Sequence, residues 1–134
     1  MDARRNCRIR SKLLRQVLKY PILKNILFIC SANKLRSPTA EQVFSQWPNL
    51  NVTSAGLDNR ADVPVSSELL EEADIIFVME KTHRNRLSAR YRKYLDAKRV
   101  ICLDIPDDYA FMDPQLIKLL EVRAGRFLRP YSQN

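Results

Sequence analysis

Downstream of Lys24 the chain alternates short, uninterrupted apolar runs with longer stretches in which apolar residues recur every three or four positions. Asn25–Cys30 has strand length and is apolar after its first residue, the pattern of a strand buried on both faces. Ser37–Trp47 carries Ala40, Val43, Phe44 and Trp47 at helical spacing, and Pro48 closes it. Asn51–Ser54 reads as a short second strand ended by Ala55-Gly56. Ser66–Glu72 reads as a helical turn or two with Ser66 or Ser67 as its cap. Asp74–Met79 is a third buried strand, Lys81–Tyr94 a strongly basic helix, and Arg99–Leu103 a fourth strand. Pro114–Leu128 is a last helix with proline in its first turn, where a missing N–H costs nothing.

Strands separated by helices over short connections imply parallel pairing through right-handed crossovers. The fold class expected is therefore α/β: a three-layer sandwich with a four-stranded parallel sheet flanked by helices. Ligands in such sheets bind beyond the carboxyl ends of the strands.

Residues 1–24 do not share this rhythm. Arg4, Arg5, Arg8, Arg10, Lys12 and Arg15 come before any strand, and Leu13, Leu14, Val17 and Leu18 have the spacing of a short amphipathic turn before Pro21. The expectation is a basic N-terminal arm over 1–24, flexible or partly helical, ahead of an α/β domain over 25–134. The net charge of +8 is unevenly placed: +7 in residues 1–24, +7 in residues 81–99, and −6 in the remainder. Because the basic helix interleaves its charges with only Tyr91 and Tyr94, a solvated face is expected there and nucleic acid is not an expected partner.

Composition narrows the classes further. A chain of 134 residues, 46% hydrophobic and 28% charged, is an ordinary globular domain rather than a disordered one. No apolar run approaches the ~20 residues needed to cross a bilayer. Three cysteines, Cys7, Cys30 and Cys102, are too few and too odd for a disulfide framework, so a reducing, cytoplasmic setting is expected. With only two glycines, Gly56 and Gly125, a Gly-rich nucleotide loop is excluded.

The candidate chemistry sits where the first strand ends: Cys30-Ser31-Ala32-Asn33-Lys34-Leu35-Arg36-Ser37-Pro38. Five residues between Cys30 and Arg36 can curl so that the backbone N–H groups of residues 31–36 point inward and, with the helix N-terminus, form an anion cradle. Arg36 supplies a planar fork for two phosphate oxygens. The same positive field favours a Cys30 thiolate, so one loop yields both nucleophile and oxyanion clamp.

Ile26–Phe44, with its apolar strand, C-x5-R-S-P and then Thr39-Ala-Glu41, resembles the signature of the low-molecular-weight protein tyrosine phosphatases. Thr53-Ser-Ala-Gly56, Ala73-Asp-Ile-Ile-Phe-Val-Met-Glu80 and Ile105-Pro-Asp-Asp-Tyr109 extend the resemblance in the right order over about residues 25–128, most closely to a short bacterial branch. The resemblance implies that Cys30 takes the phosphoryl group, that Arg36 binds it, that Ser37 stabilises the thiolate and that Asn33 shapes the loop with support from Ser54. It also implies a general acid after the fourth strand. Asp107 aligns with that acid, while Asp108 stands in place of the family's proline and Asp113-Pro114 offers a second Asp-Pro. Tyr109 is the evident aromatic flank. No cofactor and no metal is implied. The expected partner is a phosphorylated protein or small phosphate monoester, with inorganic phosphate as product and a monomer or weak dimer as the state.

Several positions depart from the family pattern. Ala32 replaces the usual loop glycine, the stretch between Gly56 and Glu71 is short, and a histidine of the Asn–Ser network is missing. His83, the single histidine, is expected on the surface of the basic helix. Lys34 and Arg60 suggest a cationic mouth that favours acidic substrates. Two other functions share the loop: a phosphopeptide-binding module without turnover, and an arsenate reductase, which would need Cys7 or Cys102 as a further thiol because position 35 is Leu35.

Overall fold

The computed structural model describes residues 23–132. Strand β1 (Lys24–Cys30) runs through the middle of the molecule, followed by α1 (Arg36–Phe44), β2 (Leu50–Gly56), α2 (Ser67–Glu72) and β3 (Ile75–Val78). Then come α3 (Lys81–Leu95), β4 (Arg99–Cys102), α4 (Pro114–Arg123) and α5 (Gly125–Ser132). The four strands form one parallel sheet in the order β2-β1-β3-β4. The chain leaves β1 toward β2 and leaves β3 toward β4, so the carboxyl ends of β1 and β3 flank the point where the winding reverses. Open sheets of this kind bind ligands in that crevice.

Alternation along β1 and β3 divides the core. Ile26, Phe28 and Cys30 of β1, with Ile75 and Phe77 of β3, face α1, α4 and α5, where Phe44, Leu116, Leu120 and Leu128 cover them. Leu27, Ile29, Ile76 and Val78 face the other way, onto Leu70 of α2 and Leu87 of α3. Phe28 stacks between Phe44 and Phe77, with centroids 5.5 and 5.0 Å away. Both faces of the central strands are thereby dry, which explains their unbroken apolar runs.

The elements expected from periodicity all form, with shifted ends. Ser66, not Ser67, caps α2, accepting from the Leu69 amide at 3.3 Å. The single final helix expected over Pro114–Leu128 is instead two helices broken at Ala124. Gly125 opens the second, and it comes so close to Trp47 that a Cβ there would lie 3.1 Å from the indole ring. Bending at this point brings Leu128 into the core cluster of α1 and α4 while Tyr131 packs on its margin.

Tyr91 and Tyr94 pack against the core cluster under α3, and the Tyr91 hydroxyl donates to the Val65 carbonyl at 3.2 Å. They are core-facing. The arm expected over 1–24 lies, apart from Leu23 and Lys24, outside the described residues, as does Cys7. Lys24 already belongs to β1, one residue before the expected start of the domain. Among the described residues no helix is long and apolar enough to cross a membrane.

Candidate active site

Cys30 ends β1 with its thiol turned to the α1 face and is 3% exposed. The five residues that follow curl back to Arg36, the first residue of α1. Three features of the local sequence allow that curl. Asn33 sits at φ 56°, a left-handed conformation that asparagine tolerates better than most side chains. The Ser31 carbonyl accepts from the Asp58 amide at 3.0 Å and the Ala32 carbonyl from the Asp62 amide at 3.2 Å, which straps the loop to the segment after β2. Finally, Gly56 leaves room for the loop backbone to lie directly against it. Ala32, in the place of a glycine, is accommodated without a positive φ.

The side chains behind the thiol form a directed chain. Asn33 uses both Nδ2 hydrogens, one to Ser37 Oγ and one to Ser54 Oγ, each at 2.9 Å. Its Oδ1 accepts from the Val63 amide at 3.1 Å. Ser54, having accepted, donates to Glu41 Oε1 at 2.8 Å. Ser37, having accepted, is left with its own proton to give, to Cys30 Sγ at 2.9 Å or to the Ala55 carbonyl at 3.4 Å. Asparagine nitrogen can only donate, so Ser37 keeps its proton free, and once Cys30 is a thiolate, which can only accept, that proton goes to sulfur.

Arg36 is 3% exposed and its orientation is imposed from one side. Nη1 donates to Glu80 Oε2 at 2.7 Å and to the Ile105 carbonyl at 2.8 Å, which uses both of its hydrogens. The Nε–Nη2 edge remains for an anion. Asp107 Oδ1 lies 3.5 Å from Nε. Of the three candidate acids, only Asp107 is placed against the guanidinium in this way. Asp113 caps α4, accepting from the Gln115 amide at 2.8 Å, and Asp108 is exposed on the loop.

Other candidates fall at the rim. Tyr109 is half-buried and packs against the α1-side core rather than standing free as a flank. Leu35 is exposed. Of the two residues from which a cationic mouth was expected, Lys34 is paired with Asp62 at 2.7 Å, while Arg60 is exposed. The Thr39 hydroxyl accepts from the Met112 amide at 2.9 Å and so holds the loop carrying Asp107 against α1.

His83 is not the surface residue expected. It is 1% exposed, with Nε2 2.9 Å from Ser31 Oγ and Nδ1 accepting from the Glu80 amide at 3.1 Å. Burial, then the charge of Arg36, holds its pKa below the ordinary 6.5, against an upward pull from Glu80 and Asp58. Glu80 is held below its ordinary 4.5, chiefly by its hydrogen bond to Arg36 and against the cost of desolvation. Glu41, Glu80 and His83 are therefore site residues that pattern reading passed over. One signal for His83 was present: His83, Leu87, Tyr91 and Tyr94 follow one another at helical spacing, with Leu87 buried and the two tyrosines half-buried against the core.

Cys102 is half-buried and packs with the cluster on the opposite face of the sheet from Cys30. It is two strands removed from Cys30 and cannot reach it as a resolving thiol. No group of side chains suited to a metal ion occurs among the described residues.

No family model matches the chain. It is 27% identical over 99 residues to the protein-arginine-phosphatase of Bacillus subtilis, an alignment covering 54% of this chain and 66% of that protein, just under two thirds of it. It is 30% identical over 117 residues, covering 66% of this chain and 81% of the relative, to a Klebsiella pneumoniae protein whose name places it among the low molecular weight protein-tyrosine-phosphatases. The tyrosine phosphatase Wzb of Escherichia coli K30, solved with phosphate, superposes with a TM-score of 0.66 at 22% identity over 81% of this chain and 99% of Wzb.

Proposed function

From the premise that this chain belongs to the low molecular weight protein-tyrosine-phosphatase family, we propose that it hydrolyses phosphate monoesters, protein phosphotyrosine foremost, through a phosphocysteine intermediate. The observation that carries the reading is the pinned guanidinium. Arg36 is held by Nη1, so its Nε–Nη2 edge is presented, without reorganisation, at the mouth of a loop whose base is a buried thiol.

Each residue then has a task. Cys30 attacks phosphorus as the thiolate, accepting a hydrogen bond from Ser37. Arg36 and the amides of residues 31–36 take up the charge on the equatorial oxygens, an arrangement whose value lies in being preorganised. Asp107 protonates the leaving oxygen as the phosphorus–oxygen bond breaks, then takes a proton from the water that displaces Cys30. The products are the dephosphorylated alcohol and inorganic phosphate, and the thiolate is regenerated. The loop neutralises the phosphoryl charge itself, so the mechanism calls on no cofactor.

A second reading concerns the substrate. Similarity to a protein-arginine-phosphatase supports protein phosphoarginine as the alternative, cleaved at phosphorus–nitrogen by the same loop. Neither a disulfide cascade nor binding without turnover draws comparable support: Cys102 is out of reach of Cys30, and the relatives are named as phosphatases.

The test is hydrolysis of p-nitrophenyl phosphate, a phosphotyrosine peptide and a phosphoarginine peptide by wild type and Cys30→Ser. Turnover abolished by the substitution supports the phosphatase, and the better peptide names the substrate. A folded wild type that binds phosphate and turns over none of the three overturns the reading in favour of a binding module.

A further inference from the structure

We infer that His83 is a positioning residue for the phosphate loop, one that makes the Ser31 hydroxyl a hydrogen-bond donor to the bound phosphoryl group. The inference rests on the phosphate-binding role proposed for the loop and adds a side-chain donor to its backbone amides.

The argument begins with the Glu80 amide. It can only donate, so His83 Nδ1, 3.1 Å away, must present its lone pair. In a neutral imidazole the proton then resides on Nε2, and Nε2 lies 2.9 Å from Ser31 Oγ. Ser31 Oγ is thus the acceptor in that contact, and its own proton is left to give elsewhere. Ser31 directly follows Cys30 and opens the cradle, so a phosphoryl oxygen in the loop is the acceptor such a proton suits. The charged groups that face the ring are Arg36 and Arg86 on one side of the balance and Glu80 and Asp58 on the other. With the ring buried, they leave it neutral at working pH.

The same helix start serves the other half of the loop. Glu80 holds Arg36 through Nη1 while His83 holds Ser31, so residues three apart at the head of α3 orient both side-chain donors of the cradle. An element 44 residues beyond Arg36 and 52 beyond Ser31 in sequence contributes in this way because β3 delivers it beside β1.

The decisive comparison uses the two amides that each mimic one ring nitrogen. His83→Gln keeps a donor near the Nε2 position, and His83→Asn keeps an acceptor near Nδ1. The probe is inorganic phosphate, its affinity measured at pH 7.5 by titration calorimetry on the full chain, with folding checked by thermal melts. Ser31→Ala should weaken phosphate about tenfold or more, as expected for a hydrogen bond to a charged group. His83→Asn should fall to the same level, Ser31→Ala with His83→Asn should fall no further, and His83→Gln should stay near wild type. Nitrogen NMR of the single histidine should show the proton on Nε2. Wild-type affinity in Ser31→Ala, a proton on Nδ1, or retention by Asn with loss in Gln would each overturn the inference, the last by showing that His83 serves only the helix cap. Phosphate binding with these effects but without turnover would sink the phosphatase reading alone.

Discussion

A Cβ placed on Gly56 would lie 2.4 Å from the carbonyl oxygen of Ser31, closer than any side chain can come to a backbone oxygen. The contact joins the end of β2 to the first residue of the phosphate loop, and the loop's Asn33 amide would lie only 2.9 Å from the same Cβ. Gly56 has an ordinary negative φ, so close approach, not backbone conformation, is what requires glycine here. Gly56→Ala should push the loop outward, costing about 1–3 kcal/mol as overpacking does. The expected outcome is a lower urea midpoint with unchanged m-value, and phosphate affinity lost disproportionately, since the displaced atoms belong to the cradle.

Glu80 holds Arg36 from a half-exposed position, so its removal should act on the reaction more than on the fold. In Glu80→Ala the guanidinium keeps the Ile105 carbonyl but loses its shorter partner and can rotate. A fall of about tenfold or more in kcat/KM is expected, because orientation of a bidentate clamp is what is lost. Steady-state kinetics with p-nitrophenyl phosphate would check it, and Glu80→Gln should be less affected.

Asp107 and Asp113 should separate by the kind of damage they cause. Asp107→Asn should lower kcat on a phosphotyrosine peptide by about a hundredfold or more, while p-nitrophenyl phosphate, whose leaving group needs little acid, suffers much less. Asp113→Ala should instead cost about 1 kcal/mol of stability as a lost helix cap and leave kcat unchanged. The reverse pattern would transfer the acid's role to Asp113.

Acid should destabilise the protein in two steps. The folded state holds the pKa of His83 below 6.5, so its contribution is complete above that value and is lost as the pH falls from there through the folded pKa. Protonation puts a second hydrogen on the ring, at Nδ1, against the Glu80 amide. Glu80, depressed below 4.5, adds a later loss as the pH falls through its own lowered value. Because the chain has one histidine, the upper step belongs to it alone and should vanish in His83→Gln. Urea melts from pH 7.5 down to well below pH 4.5 would resolve the two.

Ser54→Ala should unsettle the thiol at a distance. It leaves Glu41 without the donor and Asn33 without the acceptor that fix the direction of the chain to Ser37. A loss of about 1–3 kcal/mol is expected for stranding buried polar groups, together with a slower reaction. Denaturation and kinetics on the same sample would check both.

What the sequence determined by itself was whatever depends on neighbours along the chain. The apolar run ending in Cys30, the C-x5-R spacing, the left-handed tolerance of Asn33 and the proline at the head of α4 are local, and each is where pattern and stereochemistry put it. The alternation of strands and helices was enough for a parallel sheet. The break at Ala124 was not legible, because it answers to Trp47, a residue far away in sequence.

Only the tertiary structure decided which distant residues serve the loop. The order β2-β1-β3-β4 sets the end of β3 beside the end of β1, and with it brings Glu80 to Arg36 and His83 to Ser31. A helix as charged as α3 shows almost no apolar face, so the histidine at the head of its buried stripe looked like one more polar residue among many. Periodicity reports which side of a helix is wet. It carries no information about which strand's end that side will meet, and that pairing is what converts a charged helix start into part of an anion site.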